Sequence, residues 1–173
     1  AGAITVSAAV SPANVATALS LLSDEGIGDN DAGSITLAGG LLLDVDTAVD
    51  LSTGNDVDSL AVAISGTGTL EFGDTDDLDV TTVDGTNGVT TSAGNISITA
   101  GGDDKVLTVS QAITTGGGAD TSSVTLTADA MAIGATGTTG TDAGAFALLQ
   151  PETVADADDG LNLGTNGAAA DTL

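Results

Sequence analysis

Short runs that alternate aliphatic residues with threonine or serine recur along this chain, and clusters of glycine, asparagine and aspartate separate them. Residues 123–127, with the sequence SVTLT, and residues 95–99, with the sequence NISIT, show the pattern. A period of two is typical of a β-strand with one buried face. Turn clusters such as residues 116–118 tolerate positive φ and suit tight corners. The sequence therefore predicts an all-β chain. The predicted strands cover residues 4–6, 34–37, 60–64, 69–72, 95–99, 106–109, 123–127 and 145–148.

The spacing of these runs indicates how the strands are arranged. Taking one apolar position per run as equivalent gives steps of 35, 26, 28 and 22 residues, which suits one coil of a solenoid. A parallel β-helix forming one domain over residues 1–173 is the first prediction. An antiparallel β-sandwich or jelly roll, with the strand at residues 3–10 exchanged between subunits, stays open as the alternative. The equivalent positions are Ile35, Leu70, Ile96, Val124 and Phe146.

The core must be built from small aliphatic side chains. Phe72 and Phe146 are the only aromatic residues in 173, whereas a conventional globular core anchors on several large rings. The mean hydropathy of +0.32 is too high for a disordered chain, which combines high charge with low hydrophobicity. This composition favours a thin, repetitive interior.

Residues 11–23 differ from the rest and predict a short helix. Ser11 suits the N-cap position, and Val15, Leu19 and Leu22 fall on one helical face. The simpler interpretation is that this helix caps an exposed end of the β structure. The alternative is that it docks against another subunit.

The charge is strongly one-sided. The chain has 25 acidic residues and a single basic one, Lys105, for a net charge of −24. Such a field repels phosphate backbones and anionic membrane surfaces, so we expect no nucleic-acid partner and no membrane insertion. No apolar run approaches the about 20 residues that span a bilayer. Cations are the expected counter-charges.

The chain contains no His, Cys, Trp or Tyr. Nucleophilic triads built on His, disulfides and thiolate metal sites are therefore excluded. Paired carboxylates can hydrolyse glycosides, but sugar subsites usually add aromatic platforms that this chain lacks. No phosphate-binding G-x-x-x-x-G-K-[ST] motif occurs. These absences predict a protein that is not an enzyme.

Aspartate clusters are the candidate metal ligands, since Ca²⁺ takes six to eight oxygen ligands from flexible loops. None of the clusters fits an EF-hand loop, and the alternative is that they are solvated turn residues that keep a β surface soluble. Calcium is the only cofactor that the sequence predicts. The candidate ligands are Asp29 and Asp31; Asp74, Asp76, Asp77 and Asp79; and Asp156, Asp158 and Asp159.

The last third of the chain carries a recognisable motif. A VTLTAD strand at residues 124–129 is followed by FALLQP at residues 146–151 and by GLNLG at residues 160–164. Over about residues 121–165 this resembles the repeats of filamentous-haemagglutinin-like and autotransporter-like surface proteins. Weaker echoes occur at residues 95–113 and 34–49. The resemblance implies a right-handed parallel β-helix, export across the cell envelope, and an adhesive or fibrous function.

Together these features predict a non-enzymatic extracellular structural protein, with Ala1-Gly2-Ala3 similar to the start left by signal-peptide cleavage. We expect copies of the chain to join head to tail, because a contact of that kind that does not close generates a filament, sheath or surface layer. Calcium would stabilise the assembly. The alternative is a stalk or binding segment of a large secreted adhesin, with contacts to glycans or a cell surface.

Overall fold

The structure is a computed structural model that describes residues 2–12, 18–116, 122–134, 136–137, 139–141 and 146–150. These residues form strands and turns and contain no helix, which confirms the all-β prediction. The first nine strands are β1 (Ile4–Thr5), β2 (Ala9–Val10), β3 (Ala18–Ser23), β4 (Ile27–Gly28), β5 (Ser34–Val45), β6 (Val49–Ile64), β7 (Leu70–Asp74), β8 (Leu78–Val80) and β9 (Thr82–Val83). The others are β10 (Thr86–Asn87), β11 (Val89–Thr91), β12 (Ile96–Ala100), β13 (Val106–Val109), β14 (Ile113–Thr115), β15 (Ser123–Ala128), β16 (Ala130–Ile133), β17 (Thr139–Thr141) and β18 (Phe146–Gln150).

The strands stack in parallel columns, so the molecule is a β-solenoid. The first face consists of β1, β4, the start of β6, β7, β12, β15 and β18. The second face holds β8, β13 and β16, and the third face holds β11, β14 and β17. Both of these continue through β6 onto β5. The sandwich alternative is wrong, because every pairing between described coils is parallel.

The register of the first face tests the predicted repeat. Leu70, Ile96 and Val124 are direct partners, as expected. The partner of Leu70 on the other side is Val49, however, and not Ile35, which belongs to the column of β2 and β5. Val124 pairs with Ala147, so the Phe146 assignment is wrong by one residue. The full column is Ile4, Ile27, Val49, Leu70, Ile96, Val124 and Ala147, with steps of 21 to 28 residues.

The interior is a stack of aliphatic side chains, as the composition predicts. In β12, Ile96 and Ile98 are fully buried, while Ser97 and Thr99 face outward. Burial of each such Ile or Leu side chain contributes about 1.5–3 kcal/mol to the free energy of unfolding. Phe72 is the one aromatic side chain in the described core. The same alternation recurs in β13 and β15, and the buried aliphatic cluster extends from Val6 to Met131.

The helix predicted over residues 11–23 is wrong where the structure describes the segment. Residues 18–23 form β3, which pairs in parallel with β5, whereas residues 13–17 lie outside the described residues. Leu19 and Leu21 pack on the core, but Leu22, which a helix would have buried, is 61% exposed. The tertiary partners decided the outcome, since a strand lets alternate leucines stack on the next coil.

One antiparallel hairpin interrupts the described stack. β9 and β10 pair across the turn Asp84-Gly85, whose φ angles of 48° and 85° are those of a tight two-residue hairpin turn. The hairpin folds back onto the outer surface, where Val83 buries Leu42 and Ala61. It thereby covers an apolar patch that the long strands β5 and β6 would otherwise expose.

The described part of the chain contains no helix of the length and apolar character needed to cross a bilayer.

Candidate functional site

The corner between the first and second faces holds buried polar side chains. Asn55 and Asp74 occupy the same register position in adjacent coils. Asn55 is fully buried, and its Nδ2 donates to the carbonyl oxygens of Leu51 and Gly73 at 2.9 Å each. Its Oδ1 accepts a 3.0 Å hydrogen bond from the backbone N–H of Ile35. Asn55 therefore ties three neighbouring coils together, and both of its N–H donors are used in doing so.

Asp74 repeats this arrangement one coil further on. The backbone N–H of Val57 donates to its Oδ2 and that of Asp76 to its Oδ1, both at 2.9 Å. The residue is 3% exposed. Burial raises the pKa of the Asp74 carboxyl to about 6, although both hydrogen bonds act in the opposite direction. This carboxylate holds the backbone of the adjacent coil.

Asp76 and Asp77 extend the same corner to the surface and meet Lys105 there. The Lys105 Nζ donates to Asp76 Oδ1 at 2.7 Å, and the backbone N–H of Val106 donates to Asp77 Oδ1 at 2.8 Å. The hydrogen bond from Lys105 lowers the pKa of Asp76, and the same bond raises the pKa of Lys105. We call Asn55, Asp74, Asp76, Asp77 and Lys105 the acidic corner.

Asp79 does not join the acidic corner. It lies on the outside of β8, between Ser59 and Thr108 of the adjacent coils, because Leu78 and Val80 take the inward positions. Its Oδ1 is buried without a hydrogen-bond partner among the described residues. Alternation along the strand thus separates two aspartates that are close in sequence.

Asp29 and Asp31 form a turn at an earlier corner. The backbone N–H of Asp31 donates to Asp29 Oδ1 at 2.8 Å, and the N–H of Ala32 donates to the Asp29 carbonyl at 3.1 Å. Asn30 and Asp31 have φ angles of 52° and 57°, a conformation that Asn and Asp tolerate better than most residues. Asp29 is buried, and its Oδ2 has no hydrogen-bond partner among the described residues.

These positions bear on the predicted calcium sites. Within the described ranges, no three carboxylates are grouped so that they could hold a metal ion. Asp156, Asp158 and Asp159 lie outside the described residues. Most of the predicted ligands within the described ranges instead accept hydrogen bonds from backbone N–H groups or from Lys105. Calcium binding therefore stays a prediction.

The sequence analysis did not predict that side-chain oxygens of Asn and Asp accept hydrogen bonds from backbone N–H groups of an adjacent coil. This contact recurs outside the acidic corner, where Asn95 Oδ1 accepts from the N–H of Ser123 at 2.9 Å and Asp129 Oδ2 accepts from the N–H of Asp104 at 3.0 Å. Each bond joins one coil to the next. The available signal was the position of Asp74, Asn95 and Asp129 at or next to strand ends, where backbone groups lack ladder partners, whereas Asn55 lies inside β6.

The second feature is the end of the solenoid formed by β1, β2 and β3, which we call the open end. Among the described residues these strands pair on one side only, with β4 or β5. A cavity of about 300 Å³ lies there, lined by residues 4–10, Leu19, Leu21 and Ile35. Its walls are mostly apolar, and Val10 and Leu22 are exposed beside it. An exposed apolar end with unpaired strand edges is a surface suited to pairing with another chain.

The strands that form the open end carry no charged side chain of their own, although the carboxylates of Glu25 and Asp84 lie beside them and accept hydrogen bonds from the Ala3 N–H at 3.1 Å and the Ser20 hydroxyl at 2.8 Å. Residues 1–23 contain no Asp, Glu, Lys or Arg, and Asp24 is the first charged side chain. The sequence alone could have revealed this uncharged stretch, which the helix prediction obscured.

Comparisons of the chain with protein-family models, with curated proteins and with solved structures found no match.

Proposed function

We propose that this chain is a non-enzymatic structural protein that assembles head to tail into an extracellular filament, sheath or surface layer. The observation that carries the proposal is the open end. There, parallel columns of strands stop at an uncharged, apolar coil whose outer edges have no described partner. Backbone hydrogen bonds along such an edge accept another strand without demanding particular side chains.

The distribution of charge supports assembly that depends on salt. Two copies with a net charge of −24 each repel one another at long range. The Debye length falls from about 30 Å at 0.01 M salt to about 8 Å at 0.15 M. Added salt therefore weakens the repulsion while leaving short-range apolar contacts at the open end intact.

Sedimentation velocity of the purified chain, combined with electron microscopy, tests the proposal. We expect monomers at about 0.01 M salt and elongated oligomers at about 0.15 M. Parallel samples with CaCl₂ and with NaCl of equal ionic strength separate specific calcium binding from screening. A monomer at every concentration and salt level would contradict the proposal.

A stalk or binding segment of a large secreted adhesin is the second candidate. The motif at residues 121–165 and the rod-like stacking of coils favour it. Denaturing electrophoresis of native material separates the two candidates. A filament subunit runs as one small polypeptide present in many copies, whereas a stalk belongs to a much larger band.

A further inference from the structure

One position in the core of the first face holds a carboxylate instead of an apolar side chain. Gly28 pairs with Asp50 in the next coil. The backbone N–H of Asp29 donates to the carbonyl oxygen of Asp50 at 3.0 Å, so Asp29 lies beside Leu51 and is only 1% exposed. Asp29 therefore occupies a place that the later coils fill with aliphatic or aromatic side chains. Those side chains are Leu51, Phe72, Ile98, Leu126 and Leu149.

The Asp29 carboxylate has no counter-charge among the described residues. Its Oδ1 accepts the 2.8 Å hydrogen bond from the Asp31 N–H, whereas its Oδ2 is buried and has no hydrogen-bond partner there. Lys105, the single basic residue of the sequence, donates to Asp76 instead. A buried charge is costly unless a partner compensates it. Compensation from solution is either a proton or a metal cation.

The other oxygens at this turn favour a metal cation. The Val6 carbonyl oxygen lies against Gly33, where an added Cβ would overlap it, and it accepts no backbone hydrogen bond among the described residues. The carboxylate of Asp31 is exposed two positions after Asp29. A proton would satisfy Asp29 Oδ2 alone, whereas a cation can share all of these oxygens. Calcium suits such a set because it accepts carboxylate, carbonyl and water oxygens in flexible geometry, whereas Mg²⁺ demands a near-ideal octahedron.

We infer that the turn at residues 29–33, the Asp29 turn, binds one Ca²⁺ ion through Asp29 Oδ2, the Val6 carbonyl oxygen and the Asp31 carboxylate, with water as the remaining ligands. The ion joins the first coil, which holds Val6, to the second coil, which holds Asp29. Every protein ligand belongs to the same chain, so the inference does not rest on the proposed assembly. Two carboxylates make a weak site, and we expect a dissociation constant of about 0.1–1 mM, as in extracellular calcium modules.

Urea unfolding at fixed ionic strength measures the effect of calcium on stability. The protein is kept at a dilution where sedimentation velocity shows a monomer, in about 0.15 M NaCl. Samples with about 10 mM CaCl₂ are compared with samples in MgCl₂ at the same concentration and in NaCl of equal ionic strength. For the expected dissociation constant, calcium should raise the folding equilibrium constant about 10- to 100-fold. Magnesium should raise it less than about twofold.

Asp29→Asn and Asp103→Asn separate this site from general screening of charge. Each substitution removes one negative charge, but Asp103 is exposed in a turn of a later coil. We expect the calcium effect to vanish in Asp29→Asn and to stay unchanged in Asp103→Asn. Asp31→Asn should weaken calcium binding about tenfold, because the site loses one charged ligand. Without calcium, Asp29→Asn should be at least as stable as the parent, since an amide keeps an oxygen for the Asp31 N–H and needs no counter-charge.

An NMR titration of the labelled parent locates the ion without any substitution, and it also covers a variant that does not fold. Calcium should shift the amide signals of residues 29–33 and of Ser7, whose nitrogen is bonded to the Val6 carbonyl carbon. These signals should saturate with one shared midpoint at about 0.1–1 mM.

Three results would overturn the inference. Equal stabilisation by calcium in the parent and in Asp29→Asn, or equal stabilisation by calcium and magnesium, would mean that cations only screen the acidic surface. Shifts that are spread over many amides and do not saturate would mean the same. A strongly destabilised Asp29→Asn in calcium-free buffer would mean that the ionised Oδ2 already has a partner within the protein. All of these results are read from the monomer, so they stand whether or not the chain assembles.

Discussion

Protonation of Asp74 should make the protein more stable in mild acid than at neutral pH. The pKa of its carboxyl is raised from 3.8 to about 6, chiefly because burial penalises the ionised form. A folded-state pKa above the unfolded value means that the folded protein binds the proton more tightly. The resulting stability is fully present below pH 3.8 and is lost as the pH rises through about 6.

The size of this effect follows from the shift. One pKa unit corresponds to about 1.4 kcal/mol, so a change from 3.8 to about 6 corresponds to at most about 3 kcal/mol. The exposed Asp76 adjoins this carboxylate, and water near it screens part of the interaction. We therefore expect about 1–3 kcal/mol of unfolding free energy to be lost between pH 4 and pH 7.

Urea unfolding followed by circular dichroism at several pH values measures this loss. Repulsion among the other carboxylates also grows with pH, so the comparison variant is Asp74→Asn. Asparagine is compatible with this corner, since Asn55 holds the same register position one coil earlier. The variant loses stability overall, because an amide cannot accept both N–H groups, but its pH dependence should be flatter. If the free energy of unfolding changes with pH equally in parent and variant from pH 4 to pH 7, burial of the Asp74 carboxyl is not the cause of the pH dependence.

Four further substitutions test the packing and the acidic corner. Gly94→Ala should lower the free energy of unfolding in urea by more than about 2 kcal/mol, because the added Cβ would overlap the carbonyl oxygen of Gly68. Gly85→Ala is the matched control in the open hairpin turn, and it should lower the same free energy by about 1 kcal/mol through its positive φ alone. Asn55→Ala should cost about 3 kcal/mol or more by the same measurement, since three buried backbone groups lose their partners; a loss below about 1 kcal/mol would mean that water replaces the amide. Lys105→Ala should raise the pKa of Asp76 toward its ordinary value in an NMR titration, and an unchanged pKa would contradict the ion pair.

The acidic corner shows why only part of the site could be predicted. Oxygen-rich clusters at residues 74–79 were visible in the sequence, and calcium ligation was a reasonable interpretation. Which atoms those oxygens meet depends on the adjacent coil, since Val57 and Val106 lie 17 and 29 residues from their acceptors. Spacing within one segment carries no information about such partners. The uncharged first 23 residues, by contrast, needed no structure to find.

Strand and turn positions were readable from local chemistry, because alternation of aliphatic residues with threonine and the conformational freedom of turn residues both act within a few positions. The register between coils could not be read from the sequence, because the coils vary from 21 to 28 residues and contain insertions such as the β9–β10 hairpin. Leu19 and Leu22 illustrate the limit, because their spacing suits a helix. In the structure β3 pairs with β5 instead, which places Leu19 beside Leu41 and leaves Leu22 exposed beside Asp44. Local sequence thus determined what each segment can form, and contacts between coils determined which form is adopted and which carboxylates are buried.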